Sequence, residues 1–430
     1  MRDLSRWRTP ALLMSAVALA LGPSATTASA APPKGACTNP DPGRPVERSL
    51  PWAQELLKPQ RAWPFSTGAG VTVAVVDSGV DADQPQLRRP GKVLRGRDFY
   101  LVGTLPGNYD CVSHGTGVAG IIAADRATGI GFQGIAPGAR ILPVRVSERE
   151  TSDNGQTEVI PPQILAKGIR FAVDSGARVI NLSMSGNQDQ APVRAAIAYA
   201  VAKDVVVVAA AGNQQTNTSG ILPSYPAQYP GVLGVGAIDI AGKRLGASQL
   251  GPYVDLVAPG AGVLTTTRRT GHAYSDGTSF AAPFVAGSAA LVRAAYPKMT
   301  AAQVIQRLQA TATPARGGAG SAEYGAGIVD PYRAVTEGMI GAAARKLPAM
   351  QAAPVDQQLL DHGAWWRAAG LDARWMTGLA VGGTALIILF TTLLVGGHRR
   401  RWQAGRSLIH RHHEASPAEL PPERLFAQVD

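Results

Sequence analysis

Cysteine is nearly absent: Cys37 and Cys111 are the two in 430 residues, so one disulfide is the most the chain can form. Histidine is scarce as well. Of the seven, His398, His410, His412 and His413 follow a long apolar run and His362 precedes it, which leaves His114 and His272 for any chemistry in the folded part. Long runs of one charge are missing too. The formal charge of +11 divides into +2 from residues 1–30 (three Arg less Asp3), +2 after residue 397 (six Arg less four acids) and +7 dispersed over the middle. A dispersed charge carries no nucleic-acid footprint. There are no internal repeats. The four acids of residues 148–158 read as a solvated loop rather than a calcium site, so no metal or cofactor is implied.

Two segments stand apart from the fold. Residues 1–30 combine Arg2, Arg6 and Arg8, an apolar core and Ala28-Ser29-Ala30, the pattern of a cleaved secretory leader. Residues 376–397 are apolar and uncharged; as a helix their 22 residues rise about 33 Å, enough to cross a bilayer. Trp365, Trp366 and Trp375 precede this stretch and Arg399, Arg400 and Arg401 follow it, which puts the tail inside and residues 31–375 outside. The predicted organisation is a leader (1–30), an N-terminal extension (31–67), a folded domain (68–341), a linker (342–375), one span (376–397) and a basic cytoplasmic tail (398–430). Both cysteines would then meet oxidising conditions. A Cys37–Cys111 disulfide is the economical expectation, and two free thiols are the alternative.

Between these segments, strand-like and helix-like stretches alternate. Residues 71–76 form a continuous β-branched run, as in a strand buried on both faces. Further strands are expected at 140–146, 178–182, 205–211, 231–238 and 254–257. Helices are expected at 52–57, 114–124, 161–174, 193–203, after Ser279, and at 301–312. This alternation predicts an α/β fold with a doubly wound, mostly parallel sheet.

Three chemically competent residues sit at element ends beside glycine. Asp77 ends the first strand, His114 opens a helix of small residues, and Ser279 lies in Gly277-Thr278-Ser279-Phe280-Ala281-Ala282-Pro283 before a long apolar helix. Asp, His and Ser in that order form one of the known arrangements of a serine-hydrolase triad. Acyl transfer needs a base for the hydroxyl, a carboxylate to orient the base, and donors for the oxyanion. Elimination leaves His114 and His272; His114, between Ser113 and Gly115-Thr116-Gly117 where little bulk blocks access, is the candidate base, and Asp77 is either its orienting group or a plain turn aspartate. Ser279 N–H at a helix start is one candidate oxyanion donor, and Asn213, following strand 205–208, is either a second or the start of an Asx turn.

Asp77-Ser78-Gly79, His114-Gly115-Thr116, Ala211-Gly212-Asn213 and Gly277-Thr278-Ser279 resemble the motifs of the subtilisin-like serine proteases, the subtilases. So do the framework segments 134–137, 225–230 and 257–260, and the resemblance covers residues 68–335. It implies a serine endopeptidase in which Asp77, His114 and Ser279 are catalytic. Ser183, Met184, Ser185 and Gly186 would pair with extended polypeptide substrate, and Ala210, Ala211 and Gly212 would line the main specificity pocket.

Together with the leader, the single C-terminal span and the short tail, this arrangement resembles the mycosins, membrane-anchored subtilases of type VII secretion systems. That implies processing of secreted substrates and a part in holding the membrane complex together. The competing expectations are a scaffold subunit with dispensable chemistry, or a subtilase that trims leader peptides elsewhere. Secreted subtilases usually carry a long folded propeptide. The 31–66 stretch is too short for one, and is expected to stay attached and wrap the domain, held by Cys37.

Overall fold

The computed structural model describes residues 32, 34–101, 104–148, 159–216, 220–338, 381–395 and 398–399. The predicted leader, linker, the ends of the predicted span and nearly all of the tail lie outside the described residues. The chain divides into two compact units, 1–351 and 352–430.

The first unit is built on a seven-stranded sheet. Its strands are β1 (Thr72–Asp77), β2 (Arg97–Asp98), β3 (Arg140–Arg145), β4 (Val179–Leu182), β5 (Val206–Ala210), β6 (Val232–Ile238) and β7 (Leu256–Pro259), in spatial order β2-β3-β1-β4-β5-β6-β7. Every pairing in it is parallel. All six residues of β1 are buried, as expected of a strand made largely of β-branched residues with no polar alternation from Val73 to Val76. A two-stranded antiparallel hairpin, β8 (Val263–Thr266) with β9 (His272–Ser275), lies outside this sheet. It has no counterpart in the sequence-based expectation.

The helices are α1 (Trp52–Leu57), α2 (His114–Ala123), α3 (Pro162–Asp174), α4 (Ala191–Ala202), α5 (Thr278–Ala295), α6 (Ala301–Ala310) and α7 (Pro331–Thr336). The strand order reverses direction at β1: β3 lies on one side of it and β4 on the other. With right-handed crossovers, that reversal sends helices to opposite faces. Accordingly α2 packs with α5, and α3 packs with α4. A doubly wound sheet offers its ligand crevice at the carboxyl ends of the strands where the order reverses. Asp77 ends β1 at that point, Ser183 follows β4, and Ala211 follows β5.

Helix α5 is buried from Thr278 through Arg293. It is long and apolar enough to cross a membrane by composition, but it is the core helix of this unit. In the second unit, Val381–Val395 forms an apolar helix, and its side chains from Leu386 to Phe390 are exposed.

Candidate active site

The site begins with the end of β1. Asp77 is 3% exposed. Its Oδ1 accepts from the Ser78 N–H at 2.7 Å and from His114 Nδ1 at 2.7 Å. A carboxylate can only accept, so this contact puts the proton on Nδ1 and leaves Nε2 with the lone pair. His114 is the first residue of α2, and its side chain is 18% exposed. Gly115 is required beside it: a Cβ there would lie 2.0 Å from Gly79 O and 3.2 Å from Asp77 Cβ.

A buried polar network holds both turns. Ser78 Oγ donates to Asp110 Oδ1 at 3.1 Å and accepts from Gly115 N–H at 3.0 Å. Asp110 also accepts from the Thr116 N–H and hydroxyl at 2.9 and 2.7 Å and from the Val112 N–H at 3.0 Å. Burial pushes the Asp110 carboxyl up from its ordinary range, while these donors pull it back. Fully buried Arg145 donates to Ser78 O at 3.0 Å and pairs with Asp98 at 3.1 Å. The loop carrying Asp77 is thus tied to both β3 and the start of α2.

Ser279 is the second residue of α5 and 3% exposed. The imidazole of His114 lies against the ring of Phe280, the next residue, with centroids 5.0 Å apart. Asn213 is exposed just beyond β5. Its Oδ1 accepts from the Thr278 N–H at 2.9 Å and the Thr278 hydroxyl at 3.0 Å. Two donors on Oδ1 settle which end of the amide is which, and Nδ2 faces the other way. A Cβ on Gly277 would meet Asn213 Nδ2 at 3.1 Å and Ser279 Oγ at 3.3 Å, so these two atoms flank one point. Thr278 Oγ1 also accepts from the Gly212 N–H at 3.0 Å. Thr278 was legible only as a small neighbour of Ser279; its hold on Asn213 was not.

The other expected site residues surround this centre. Ser183 is buried and its hydroxyl donates to Ser279 O at 2.6 Å, so its side chain faces inward. Met184 is half-buried against the core, and Ser185 and Gly186 are exposed. Gly186 exchanges two 2.8 Å backbone bonds with Tyr225. Ala210, Ala211 and Gly212 are buried. A Cβ on Gly212 would lie 2.8 Å from Ser185 Oγ, which brings the two segments together. Among the described residues, no group of three or more His, Cys, Asp or Glu side chains is placed to hold a metal ion.

Cys37 and Cys111 form a disulfide with Cα atoms 5.5 Å apart. From there the extension runs along the hairpin and onto the domain. The Asp41 N–H donates to Cys111 O at 2.8 Å, Arg44 N–H to Thr270 O at 2.9 Å, and His272 N–H to Pro45 O at 3.0 Å. Gly131 N–H donates to Arg48 O at 3.0 Å, and the Trp52 indole to Ala261 O at 3.2 Å. Gly271 has φ 81°, and a Cβ there would fall 1.8 Å from Arg44 O, so the extension presses where only glycine fits. His272, the second in-domain histidine, is buried in this contact. Its Nδ1 accepts from the Glu47 N–H at 3.1 Å, and its Nε2 meets Gln86 Oε1 at 2.8 Å.

Comparison with known proteins places these features in a family. A profile of the subtilase family (peptidase S8) matches residues 68–327. The chain is 34% identical to Mycosin-4 of Mycobacterium tuberculosis over 406 residues, 85% of each chain. It is 37% identical to subtilisin NAT of Bacillus subtilis subsp. natto over 61% of its own length, and spans 65% of that relative. Among solved structures, it matches a chain of an intact ESX-5 inner membrane complex with TM-score 0.60 and 31% identity, covering 81% of this chain and 94% of that one.

Proposed function

Because this chain belongs to the subtilase family, we propose that it is a membrane-anchored serine endopeptidase of a type VII secretion system. The observation that carries the reading is the 2.7 Å Asp77–His114 contact beside the residue that follows Ser279. In this reading Ser279 Oγ attacks the scissile carbonyl carbon of an extended polypeptide while His114 Nε2 takes the hydroxyl proton. Asp77 stabilises the imidazolium that forms. The carbonyl oxygen, now negative, accepts from the Ser279 N–H and Asn213 Nδ2. Collapse expels the amine, which leaves with the proton from His114 and leaves an ester on Ser279. Water, deprotonated by the same histidine, attacks the ester carbon, and the histidine returns that proton to Ser279 Oγ as the acid leaves. Ser183 to Gly186 offer backbone to the substrate, and Ala210 to Gly212 form the wall for the side chain preceding the cut. No metal or cofactor enters the scheme.

The same reading makes residues 1–30 a leader that is removed. The extension stays attached, and residues 376–397 span the membrane with the basic tail inside. The exposed apolar helix Val381–Val395 and the arginine at 399 support it. Its partners are polypeptide substrates and the components of a secretion membrane complex. A second reading, a scaffold subunit with dispensable chemistry, draws support from the likeness to a chain in an assembled inner membrane complex.

Fluorophosphonate labelling of membrane extracts tests the first reading, with Ser279→Ala as control. Labelling that vanishes in the variant is expected; folded protein that never labels would overturn the hydrolase. Secretion measured in the Ser279→Ala strain separates the two readings, because a scaffold tolerates the change.

A further inference from the structure

We propose that Asn181 and Ser183 are positioning residues that replace, from the neighbouring strand, a helical hydrogen bond that Pro283 denies to the nucleophile's own carbonyl. The inference rests on Ser279 being the nucleophile. In an α-helix the C=O of residue i accepts from the N–H of residue i+4. For Ser279 that residue is Pro283, which lies inside α5 and has no N–H. A buried carbonyl left without a donor is costly. The donor comes instead from Ser183, whose hydroxyl reaches Ser279 O at 2.6 Å. That hydroxyl has one proton to give, and its direction is set from behind: Asn181 Nδ2 donates to Ser183 Oγ at 2.8 Å. Asn181 is fully buried in β4, and its Oδ1 has no hydrogen-bond partner. Because the Ser183 proton is given to Ser279 O, its Oγ can only accept, and the amide end that meets it is the one that donates.

The consequence is mechanical. The first turn of α5 is held at Ser279 by the residue that follows β4 rather than by its own helix. Ser183 also opens the segment proposed to pair with substrate, so groove and nucleophile are fastened to each other by one hydroxyl. A substrate that seats against this segment bears directly on the position of Ser279.

The full-length protein in detergent, labelled with a fluorophosphonate over a range of concentrations, tests the relay. Ser183→Ala is expected to slow labelling at saturation about tenfold while the half-saturating concentration stays nearly fixed, because position rather than binding is lost. Ser183→Thr, which keeps the hydroxyl, recovers most of the rate. Asn181→Asp has the same shape but accepts the Ser183 proton, and is expected to match Ser183→Ala. Pro283→Ala supplies an N–H, so adding Ser183→Ala in that background costs clearly less than it does alone. Labelling of Ser183→Ala at the wild-type rate, or an equal loss in both backgrounds, overturns the relay. If Ser183→Ala fails to fold, Asn181→Asp labelling at the wild-type rate overturns it instead. Wild-type protein with no Ser279-dependent labelling overturns the hydrolase reading beneath it.

Discussion

His114 and His272 are the same side chain in two settings, and the partners decide what each can do. His114 turns Nδ1 to a carboxylate and keeps its side chain 18% exposed. His272 is 6% exposed, turns Nδ1 to a backbone N–H and Nε2 to the Gln86 amide oxygen, and lies tilted against the Phe132 ring. A carboxylate welcomes an imidazolium. A ring whose Nδ1 already accepts a hydrogen bond has no place for a second proton, and burial pushes the His272 pKa down, against a smaller upward pull from Glu47. The first setting suits proton transfer and the second suits a tether.

The sharpest break of this contrast is in activity. His114→Ala or Ser279→Ala should cost about four to six powers of ten in kcat/KM, the scale that triad losses reach in subtilisin. His272→Ala should leave the chemistry standing in whatever protein remains folded; an equal collapse would erase the distinction. Next in size, Asn213→Ala should lower kcat by about 10²–10³ with little change in KM, as loss of one oxyanion donor does. On the tether side, replacing Cys37 and Cys111 together by serine should cost about 2–4 kcal/mol, read as a lower denaturation midpoint. The smallest effect is expected for His272→Gln, about 1–2 kcal/mol for a disturbed buried pair of hydrogen bonds.

That last contact also has a pH signature. A folded-state pKa below the unfolded value of about 6.5 stabilises above that pH, and the contribution is lost as pH falls through the folded value. Amide protection across residues 44–50, taken relative to the intrinsic exchange rate at each pH, should therefore fall as the pH drops below about 6.5 in the wild type, and less so in His272→Gln. Identical profiles would remove the neutral-histidine assignment.

What could be read from residues alone follows from how local the cause is. The strand at Thr72–Asp77 announces itself because both of its faces are buried. The glycines beside Asp77, His114 and Ser279 mark close approaches, and the Asp77–His114 contact lies where they point. The hairpin β8–β9 was not: Thr265, Thr266 and His272 are polar, and their burial depends on the extension and α2 covering them. The last strand of the sheet was expected at 254–257 and forms at Leu256–Pro259 instead. Asp255 is the reason. Its carboxylate accepts from the Gly234 N–H at 2.8 Å and from Gln309 at 2.9 Å, which fastens that stretch as a loop. Burial raises the Asp255 pKa to about 6, another long-range effect with no local trace. Thr278 and Pro283 were in plain view within the serine motif, but their work is done on Asn213 and Ser183, far away in the chain.

The disulfide has a topological consequence. It closes a covalent loop between residues separated by 74 positions, and β1 with Asp77 lies within that loop while His114 and Ser279 lie beyond it. One cut between Cys37 and Cys111 therefore opens a ring without releasing a fragment, and the carboxylate stays covalently linked to the rest of the site. A nick there would be invisible on a non-reducing gel and would appear as two bands once the thiols were freed.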